Sequence, residues 1–335
     1  METIPSFIRN AAALDAYSVD ALGFSKGKSV STSGSPQWFL FSSARLRAEV
    51  VAAIYGVCST GCGQHTLPPP DKVELSAPMS VPMESSSGLP VVSARINGQG
   101  PYKFIIDTGA MHSVFAENLA RELGLPSIAH AAMGRPGSTK PLPATVTRVA
   151  KIEIGSLTIE GVTAVFADLS AVFLKKAPDV QGVLSAAMVP GLLVTYNFPA
   201  KKIEFRRGEL PSEDGQTIFT WSAGNLPSLT ADVAGQSVRM DVDTGAISGF
   251  VVDTAIANKM QWLEAPSEGA KMRTVDMETK TFTGRVNGII RVGKFSFENP
   301  RLDYHDGFNN LGSAVLKDFV VTLDPKNRRL ELKRD

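Results

Sequence analysis

The sequence predicts an all-β protein made of two duplicated lobes, and three observations support this fold class. Most patterned segments are short and alternate apolar with polar residues, as strands do. The tetrapeptide Asp-Thr-Gly-Ala occurs twice, at 107–110 and 243–246, and the segments around the two copies match in order. The 335 residues suffice for two hydrophobic cores. We expect a tail and linker at 1–75, an N-terminal lobe at 76–207 and a C-terminal lobe at 208–335.

Composition excludes several classes of function. The formal net charge is +1 and no basic cluster is present, so we expect no nucleic-acid partner. The two cysteines, Cys58 and Cys62, both precede the first lobe, which leaves no disulfide framework and no Cys/His zinc site. The histidines share no metal-ligand spacing, and they are His65, His112, His130 and His305.

The N-terminal tail contains a signal-like segment. Arg45 and Arg47 precede the apolar run 50–57, and small residues follow it, which is the order of an export signal. The run is shorter than the about 20 residues that span a bilayer, and it begins roughly forty residues late for a signal. One interpretation is that translation starts further downstream, so that the segment is an export signal, the protein is exported or periplasmic, and Cys62 carries a lipid anchor. The alternative is that the tail is disordered and the protein is cytoplasmic.

The first lobe opens with a predicted hairpin. Residues 89–96 and 102–106 have strand patterns, and Asn97-Gly98 between them is a favoured two-residue turn. Further along the chain, the clean alternation of residues 151–159 predicts strands again.

A helix is predicted after the first Asp-Thr-Gly-Ala. Ser113 is its expected N-cap, apolar residues recur at i, i+4 and i+8, and Gly124 ends it. Ser113 is a better cap than nucleophile, because no histidine base is evident nearby. His112 is interpreted as an exposed residue at the helix start, with a place in a cleft as the alternative. Residues 131–143 predict an exposed hairpin or loop.

The second half repeats the parts of the first. Residues 290–297 match 152–159 at an offset of 138 residues, and 328–332 match 201–205 at an offset of 127. The two Asp-Thr-Gly-Ala copies are 136 residues apart. Because several features recur in the same order at similar offsets, we infer an internal duplication.

The duplication gives the repeated tetrapeptide its meaning. One Asp-Thr-Gly is a weak signal, since Asp and Gly are common in turns, but two copies at matching points predict that Asp107 and Asp243 meet. Two carboxylates about 3 Å apart cannot both ionise, so they hold one proton between them. The ionised member can draw a proton from water, and the protonated member can hydrogen-bond a substrate carbonyl. The threonine that follows can bond across the axis, and the glycine permits close approach.

With these motifs, the chain resembles the pepsin and retropepsin superfamily of aspartic proteases, in a single-chain, two-lobed bacterial form. The resemblance runs from about residue 85 to the C-terminus. It lies in Phe-Ile-Ile-Asp-Thr-Gly-Ala, in Asp-Val-Asp-Thr-Gly-Ala and in the later element Asn310-Leu311-Gly312. It implies two pepsin/retropepsin-like β-barrel lobes with short helices and an active-site cleft between them. It also implies a monomeric endopeptidase that acts on polypeptide without a cofactor or metal.

The resemblance also assigns residues. It makes Asp107 and Asp243 the catalytic dyad. It also places a β-hairpin flap over the cleft. Our candidate for this flap is the loop that contains Gly134 and Gly137, and residues 269–283 are its counterpart in the second lobe. The remaining residues of the active-site loops support the dyad, and they are Thr108, Gly109, Ala110, Thr244, Gly245 and Ala246.

Three features depart from the family pattern. Ser185 stands where the family has glycine in the first lobe. Asp241 precedes Asp243 by two residues, and we favour a solvated edge residue over a third carboxylate near the cleft. Neither flap candidate contains tyrosine, which favours the retropepsin-like branch. Two other functions stay open: a catalytically inactive peptide-binding module, and metal-assisted hydrolysis by Asp107, Asp241 and Asp243.

Overall fold

The computed structural model describes residues 50–51, 57–58, 67–86, 88–134, 140–170, 177–222, 226–273 and 278–334. All of them belong to one compact unit, Arg47–Asp335. No helix among the described residues is long and apolar enough to cross a membrane. Cys62 and Gly137 lie outside the described residues. The lipid anchor at Cys62, the flap role of Gly137, export and the monomeric state all stay predictions.

In the first half of the chain, most of the described residues lie in strands. A short helix, α1 (Glu117–Glu122), and a 3₁₀ helix, Ala186–Met188, interrupt them. The described strands before residue 208 are β1 (Val50–Val51), β2 (Val57–Cys58), β3 (Lys72–Glu74), β4 (Met79–Pro82), β5 (Glu84–Ser86), β6 (Leu89–Ile96), β7 (Gln99–Asp107), β8 (Val114–Ala116), β9 (Ala129–Met133), β10 (Leu142–Ile154), β11 (Leu157–Ala167), β12 (Val180–Ser185), β13 (Leu192–Asn197) and β14 (Lys202–Arg207).

The described residues of the second half also form many strands and few helices. The helices described there are two single turns, α2 (Thr254–Ala257) and α3 (Ser313–Leu316). Its described strands are β15 (Ile218–Thr220), β16 (Ser228–Val233), β17 (Gln236–Asp243), β18 (Phe250–Asp253), β19 (Trp262–Arg273), β20 (Glu278–Val286), β21 (Ile289–Val292), β22 (Phe295–Glu298), β23 (Arg301–His305), β24 (Asn310–Gly312), β25 (Val320–Asp324) and β26 (Arg329–Lys333).

Three sheets arrange these strands into two lobes, and the predicted all-β, two-lobed fold is confirmed. In the described part of the chain, β5–β12 form a ten-stranded sheet with β2 and β3, and β16–β24 form another with β1. The third sheet draws on both halves, in the order β15-β26-β25-β13-β14-β4. Strands β3 and β4 pair with β11 and β14, so residues 72–82 already contribute to the sheets. The exact lobe boundaries stay predictions.

The third sheet lies on the approximate two-fold axis that the repeat predicts. Its central strands β13 and β25 are antiparallel, with Thr195 opposite Thr322. These residues correspond at the offset of 127, and their hydroxyl oxygens are 3.0 Å apart. Matching positions of the two halves therefore meet each other at the axis.

The hairpin predicted at Asn97-Gly98 forms, and the strands predicted at 151–159 form as two strands joined by a turn. Strands β6 and β7 pair antiparallel, and Asn97 and Gly98 between them have φ of 51° and 80°, which Asn and Gly tolerate best. Strands β10 and β11 turn at Gly155-Ser156, so that Ile154 lies opposite Leu157. The corresponding turn of the second lobe places Val292 opposite Phe295.

The helix predicted from Ser113 is wrong in its first turn. Val114–Ala116 forms β8, parallel to β11 and antiparallel to β12, and α1 begins only at Glu117. The Ser113 hydroxyl caps no helix, since it accepts a hydrogen bond from the Ser185 backbone N–H at 3.1 Å. β-branched and aromatic residues fit a central strand, and this tertiary pairing overrides the local helical spacing. Gly124 does end the helix, with φ of 61°.

Strand β7 is buried on both faces where it approaches Asp107, whereas β17 is buried on one face and partly exposed on the other. Phe104 and Ile106 of β7 face the main core and Ile105 a second apolar cluster, and all three are at most 2% exposed. Met240 and Val242 of β17 are fully buried in the main core. Tight packing of these buried side chains leaves little room for the strand ends to move.

Candidate active site

Each lobe ends a central strand at an aspartate. Strand β7 stops at Asp107, which lies beside Ser185 of the parallel strand β12. Strand β17 stops at Asp243, which lies beside Gly312 of the parallel strand β24. The chain then turns on Thr-Gly, so both carboxylates project at strand ends rather than within the sheets.

The structure brings Asp107 and Asp243 side by side. The backbone N–H of Gly245 donates to Oδ1 of Asp243 at 2.8 Å and also to Oδ1 of Asp107 at 3.1 Å. The N–H of Gly109 donates to Oδ1 of Asp107 at 2.6 Å. One backbone N–H thus serves carboxylates from both lobes, and the two side chains are only 2% and 1% exposed.

Only glycine fits at the two corners, because a larger residue would collide with the carboxylate of the other lobe. A Cβ on Gly109 would lie 2.6 Å from Cγ of Asp243, and a Cβ on Gly245 would lie 2.5 Å from Cγ of Asp107. Such contacts are far inside the usual 3.5–4.0 Å separation of carbon atoms. The glycine of each lobe therefore makes room for the carboxylate of the other lobe.

Threonine side chains lock the corners together. The N–H of Thr108 donates to Oγ1 of Thr244 at 3.1 Å, and the N–H of Thr244 donates to Oγ1 of Thr108 at 3.0 Å. The hydroxyls donate in turn to backbone carbonyls of the opposite lobe, Thr108 to Val242 at 2.5 Å and Thr244 to Ile106 at 3.1 Å. These four buried hydrogen bonds hold the two strand ends at a fixed separation.

Burial and charge act together on the pair. Burial, and after it the charge of Asp243, raises the pKa of Asp107 well above its usual value, and the N–H groups of Gly109 and Gly245 oppose this only partly. A carboxyl group with a raised pKa beside a second carboxylate retains its proton at a pH where an exposed Asp has lost it. The pair therefore titrates as a unit, with one proton shared over a range of pH.

The same two corners lie in the region that matches known proteins. The model of the aspartyl protease family matches residues 92–189 and 229–320, more than half of the chain. The chain belongs to the aspartyl protease family. No curated protein matches it. Among solved structures, it is similar to the crystal structure of aspartic proteinase from Irpex lacteus, with 15% identity, a TM-score of 0.47, and coverage of 77% of this chain and 97% of that chain.

In this aspartyl protease, Ser185 replaces the expected glycine without disturbing the corner. Its hydroxyl donates to the carbonyl of Ala110 at 2.6 Å and accepts from the N–H of Ala187 at 3.1 Å. The corresponding Gly312 has no such room, because a Cβ there would lie 2.9 Å from the Ala246 carbonyl oxygen and closer still to that of Ser248. The symmetric positions therefore have different packing.

Sequence reasoning missed a contact made by Asn310. This side chain is fully buried, and its Nδ2 donates to Oδ2 of Asp243 at 3.0 Å. The residue belongs to the Asn310-Leu311-Gly312 element, but only its glycine was given a role. The sequence did contain a sign of this contact, because the repeat aligns the polar Asn310 with the apolar Val183.

The favoured interpretation of Asp241 as a solvated edge residue needs correction. Its side chain is only 19% exposed, and Nη2 of Arg239 lies 3.2 Å from its Oδ1. Arg239 also donates from Nε to the hydroxyl of Ser228 at 3.0 Å. Asp241 is thus a half-buried, ion-paired residue two positions before Asp243.

Two cavities flank the corners at matching positions. Residues 111–113 line one of about 300 Å³, and residues 247–249 line one of about 560 Å³. The first has a largely apolar wall that includes Trp221, whereas Arg301 and Asp303 border the second. His112 is half-buried in the wall of the first cavity, so its interpretation as an exposed residue at a helix start is wrong.

The described residues on either side of each flap candidate belong to paired strands. Strands β9 and β10 pair Met133 with Leu142, and the buried Gly134 follows β9 directly. Strands β19 and β20 form the counterpart in the second lobe. A flap role for either hairpin stays a prediction. Within the described ranges, no group of three or more His, Cys, Asp or Glu side chains could hold a metal ion.

Proposed function

We propose that this chain is an aspartic endopeptidase in which Asp107 and Asp243 act as one catalytic dyad. The observation that carries the proposal is the N–H of Gly245, which donates to both carboxylates and so brings them into one site. Membership of the aspartyl protease family supports the reaction class. Thr108, Gly109, Ala110, Thr244, Gly245 and Ala246 are proposed to hold the dyad in place.

The pair can hydrolyse an amide by moving two protons. The ionised carboxylate accepts a proton from a water molecule as the water oxygen bonds to the carbonyl carbon of the substrate. The protonated carboxyl group donates its proton to the carbonyl oxygen, which gives a neutral tetrahedral diol. When the C–N bond breaks, the departing nitrogen takes one proton from the dyad, a diol hydroxyl returns one, and the dyad again holds a single proton.

We propose that the substrate is an extended polypeptide bound between the lobes, beneath the hairpins β9–β10 and β19–β20. Hairpin edges offer backbone groups that can pair with an extended chain. Two of the departures from the family pattern, Ser185 and Asp241, have structural roles that are compatible with an active enzyme. Ser185 fits through its hydrogen bonds to Ala110 and Ala187, and Asp241 is paired with Arg239.

The test is cleavage of a quenched fluorescent peptide mixture from acidic to neutral pH by the full-length protein. We expect Asp107→Asn and Asp243→Asn to lower the rate by at least about a thousand-fold. Asp241→Asn is the matched control, since it removes a carboxylate from the same strand that lies outside the dyad, and it should keep most of the activity.

Retained cleavage in both dyad variants would disprove the proposal. Loss of cleavage in the presence of a chelator would instead favour the metal-assisted alternative.

A further inference from the structure

We propose that Asn310 is a positioning residue that holds the ionised carboxylate of the pair at Asp243 and leaves the shared proton on Asp107. This inference rests on the proposed function, and it goes further by giving the two carboxylates different roles in catalysis.

The position of Asn310 gives it one particular contact. It begins β24, which runs between β17 and β18, and it lies opposite Asp241 on one side and Val251 on the other. Its side chain is fully buried, and Nδ2 donates to Oδ2 of Asp243 at 3.0 Å. An amide N–H can only donate, so the oxygen that it contacts must accept. This hydrogen bond favours the ionised form of Asp243.

The orientation of the amide has a consequence for its other end. Oδ1 of Asn310 is buried and has no hydrogen-bond partner among the described residues. A buried polar atom left unpaired is costly, so its occurrence needs a reason. Turning the amide over would place Oδ1 against the carboxylate of Asp243, where two acceptors repel. Donation to Asp243 therefore determines the orientation.

In the described part of the first lobe, no side-chain donor occupies the corresponding position. The position that corresponds to Asn310 is Val183, which lies opposite Ile105 on the neighbouring strand. Valine cannot hydrogen-bond, and Asp107 receives its described hydrogen bonds from Gly109 and Gly245, both at Oδ1. Asp107 thus accepts two backbone N–H groups at Oδ1, whereas Asp243 accepts the N–H of Gly245 at Oδ1 and the side chain of Asn310 at Oδ2.

The charged and titratable groups around the pair are consistent with this assignment. Asp107 faces Asp243 from the other lobe, and burial together with the charge of Asp243 raises its pKa. Tyr196 belongs to β13 of the third sheet. Its burial, and after it the charge of Asp107, raise the pKa of its phenol, which therefore stays neutral. On β17 itself, Arg239 is paired with Asp241.

The roles in catalysis follow directly. Asp243 accepts the proton from water, and the water oxygen bonds to the carbonyl carbon. Asp107 transfers its proton to the carbonyl oxygen. Because Asn310 already stabilises the anion, Asp243 enters the reaction ionised and the proton need not be redistributed first.

The test is an NMR titration of isotope-labelled aspartate carboxyl carbons in full-length wild type and Asn310→Leu, with the dyad signals assigned from Asp107→Asn and Asp243→Asn. Leucine is close to asparagine in shape but lacks the donor. We expect the lower apparent pKa of the dyad to rise by about one to two pH units, since hydrogen bonds to charged groups are among the stronger ones. The upper apparent pKa should stay in place, because it reports loss of the proton from Asp107.

A matched control and a second comparison complete the design. Val183→Leu changes an apolar side chain at the corresponding position and should leave both apparent pKa values unmoved. If Asn310→Leu does not fold, the two dyad variants retain the native amide and can be compared instead. The remaining Asp243 in Asp107→Asn should then ionise at a lower pH than the remaining Asp107 in Asp243→Asn.

An unchanged lower pKa in Asn310→Leu, equal shifts of both values, or the reverse order in the single variants would overturn the assignment. The titration requires no substrate, so its result can be interpreted whether or not the protein cleaves peptides. If wild type fails to cleave peptides, the proposed function fails whatever the titration shows. If wild type cleaves and the titration does not move, only the role of Asn310 fails.

Discussion

Thr108 and Thr244 exchange hydrogen bonds across the boundary between the lobes, each backbone N–H donating to the hydroxyl of the other residue at 3.1 and 3.0 Å. Each hydroxyl also donates to a carbonyl one strand position before the opposite aspartate, at Val242 and Ile106. Both threonines are at most 2% exposed. The separation of the two carboxylates therefore depends on a hydrogen-bonded unit to which both halves of the chain contribute.

Removal of one of these hydroxyls should destabilise the whole fold. In Thr108→Val, the N–H of Thr244 and the carbonyl of Val242 both lose their partner in a buried site. We expect the free energy of unfolding to fall by about 2–4 kcal/mol, as measured by urea denaturation. Thr108→Ser keeps the hydroxyl and should lose only about 1 kcal/mol, for the missing methyl group. Equal losses in the two variants would contradict a role for the hydrogen bonds.

The two small residues beside the carboxylates should not be interchangeable. Ser185→Ala removes the hydrogen bonds to Ala110 and from Ala187, which should cost about 1–3 kcal/mol of unfolding free energy. Gly312→Ala forces a methyl group against backbone carbonyls and should cost at least about 2 kcal/mol.

Gly191→Ala is the control for these small-residue substitutions, because a Cβ there meets nothing within 4 Å. It should change the thermal midpoint little. A Gly312→Ala protein as stable as Gly191→Ala would show that the packing around Gly312 is looser than described.

The raised pKa of Asp107 makes stability depend on pH in a definite direction. Since the folded pKa lies above the unfolded value of about 3.9, the folded state binds more protons between the two values. Stability from this group is fully present below about pH 4 and is lost as the pH rises through the folded pKa. Asp107→Asn removes that loss, so the stability of the variant relative to wild type should increase as the pH rises toward neutral.

Thermal unfolding of both proteins across the pH range measures this effect. Asp241→Asn provides the comparison, because Arg239 stabilises the carboxylate that this substitution removes. The stability of this variant relative to wild type should not increase as the pH rises. A stability difference between Asp107→Asn and wild type that stays constant or shrinks above pH 4 would contradict the raised pKa.

The sequence is informative where repetition and alternation encode structure. The offset of 127 residues predicted that Thr195 and Thr322 correspond, and their hydroxyl oxygens lie 3.0 Å apart on the axis. The turn at Asn97-Gly98 followed from local backbone preference alone. Such features depend on the order of residues or on a few neighbours, so they can be inferred before any fold is known.

Other features depend on partners that are distant in the sequence. Val114–Ala116 had helical spacing, but β11 and β12 recruit it into a sheet from about fifty and seventy residues away. The contact of Asn310 with Asp243 spans adjacent strands diagonally, and only the register of β17 and β24 reveals it. By contrast, the ion pair of Arg239 with Asp241 joins residues on one face of a strand, and alternation alone could have suggested it.

The central claim, that Asp107 and Asp243 act as one catalytic pair, is tested most directly by comparing the two single Asp→Asn variants with the double variant in one peptide-cleavage assay. Groups that act as a unit lose activity non-additively. We predict that each single variant loses at least about a thousand-fold in kcat/KM and that the double variant loses no more than either. A single variant that keeps a tenth or more of the activity, or losses that multiply in the double variant, would contradict the claim.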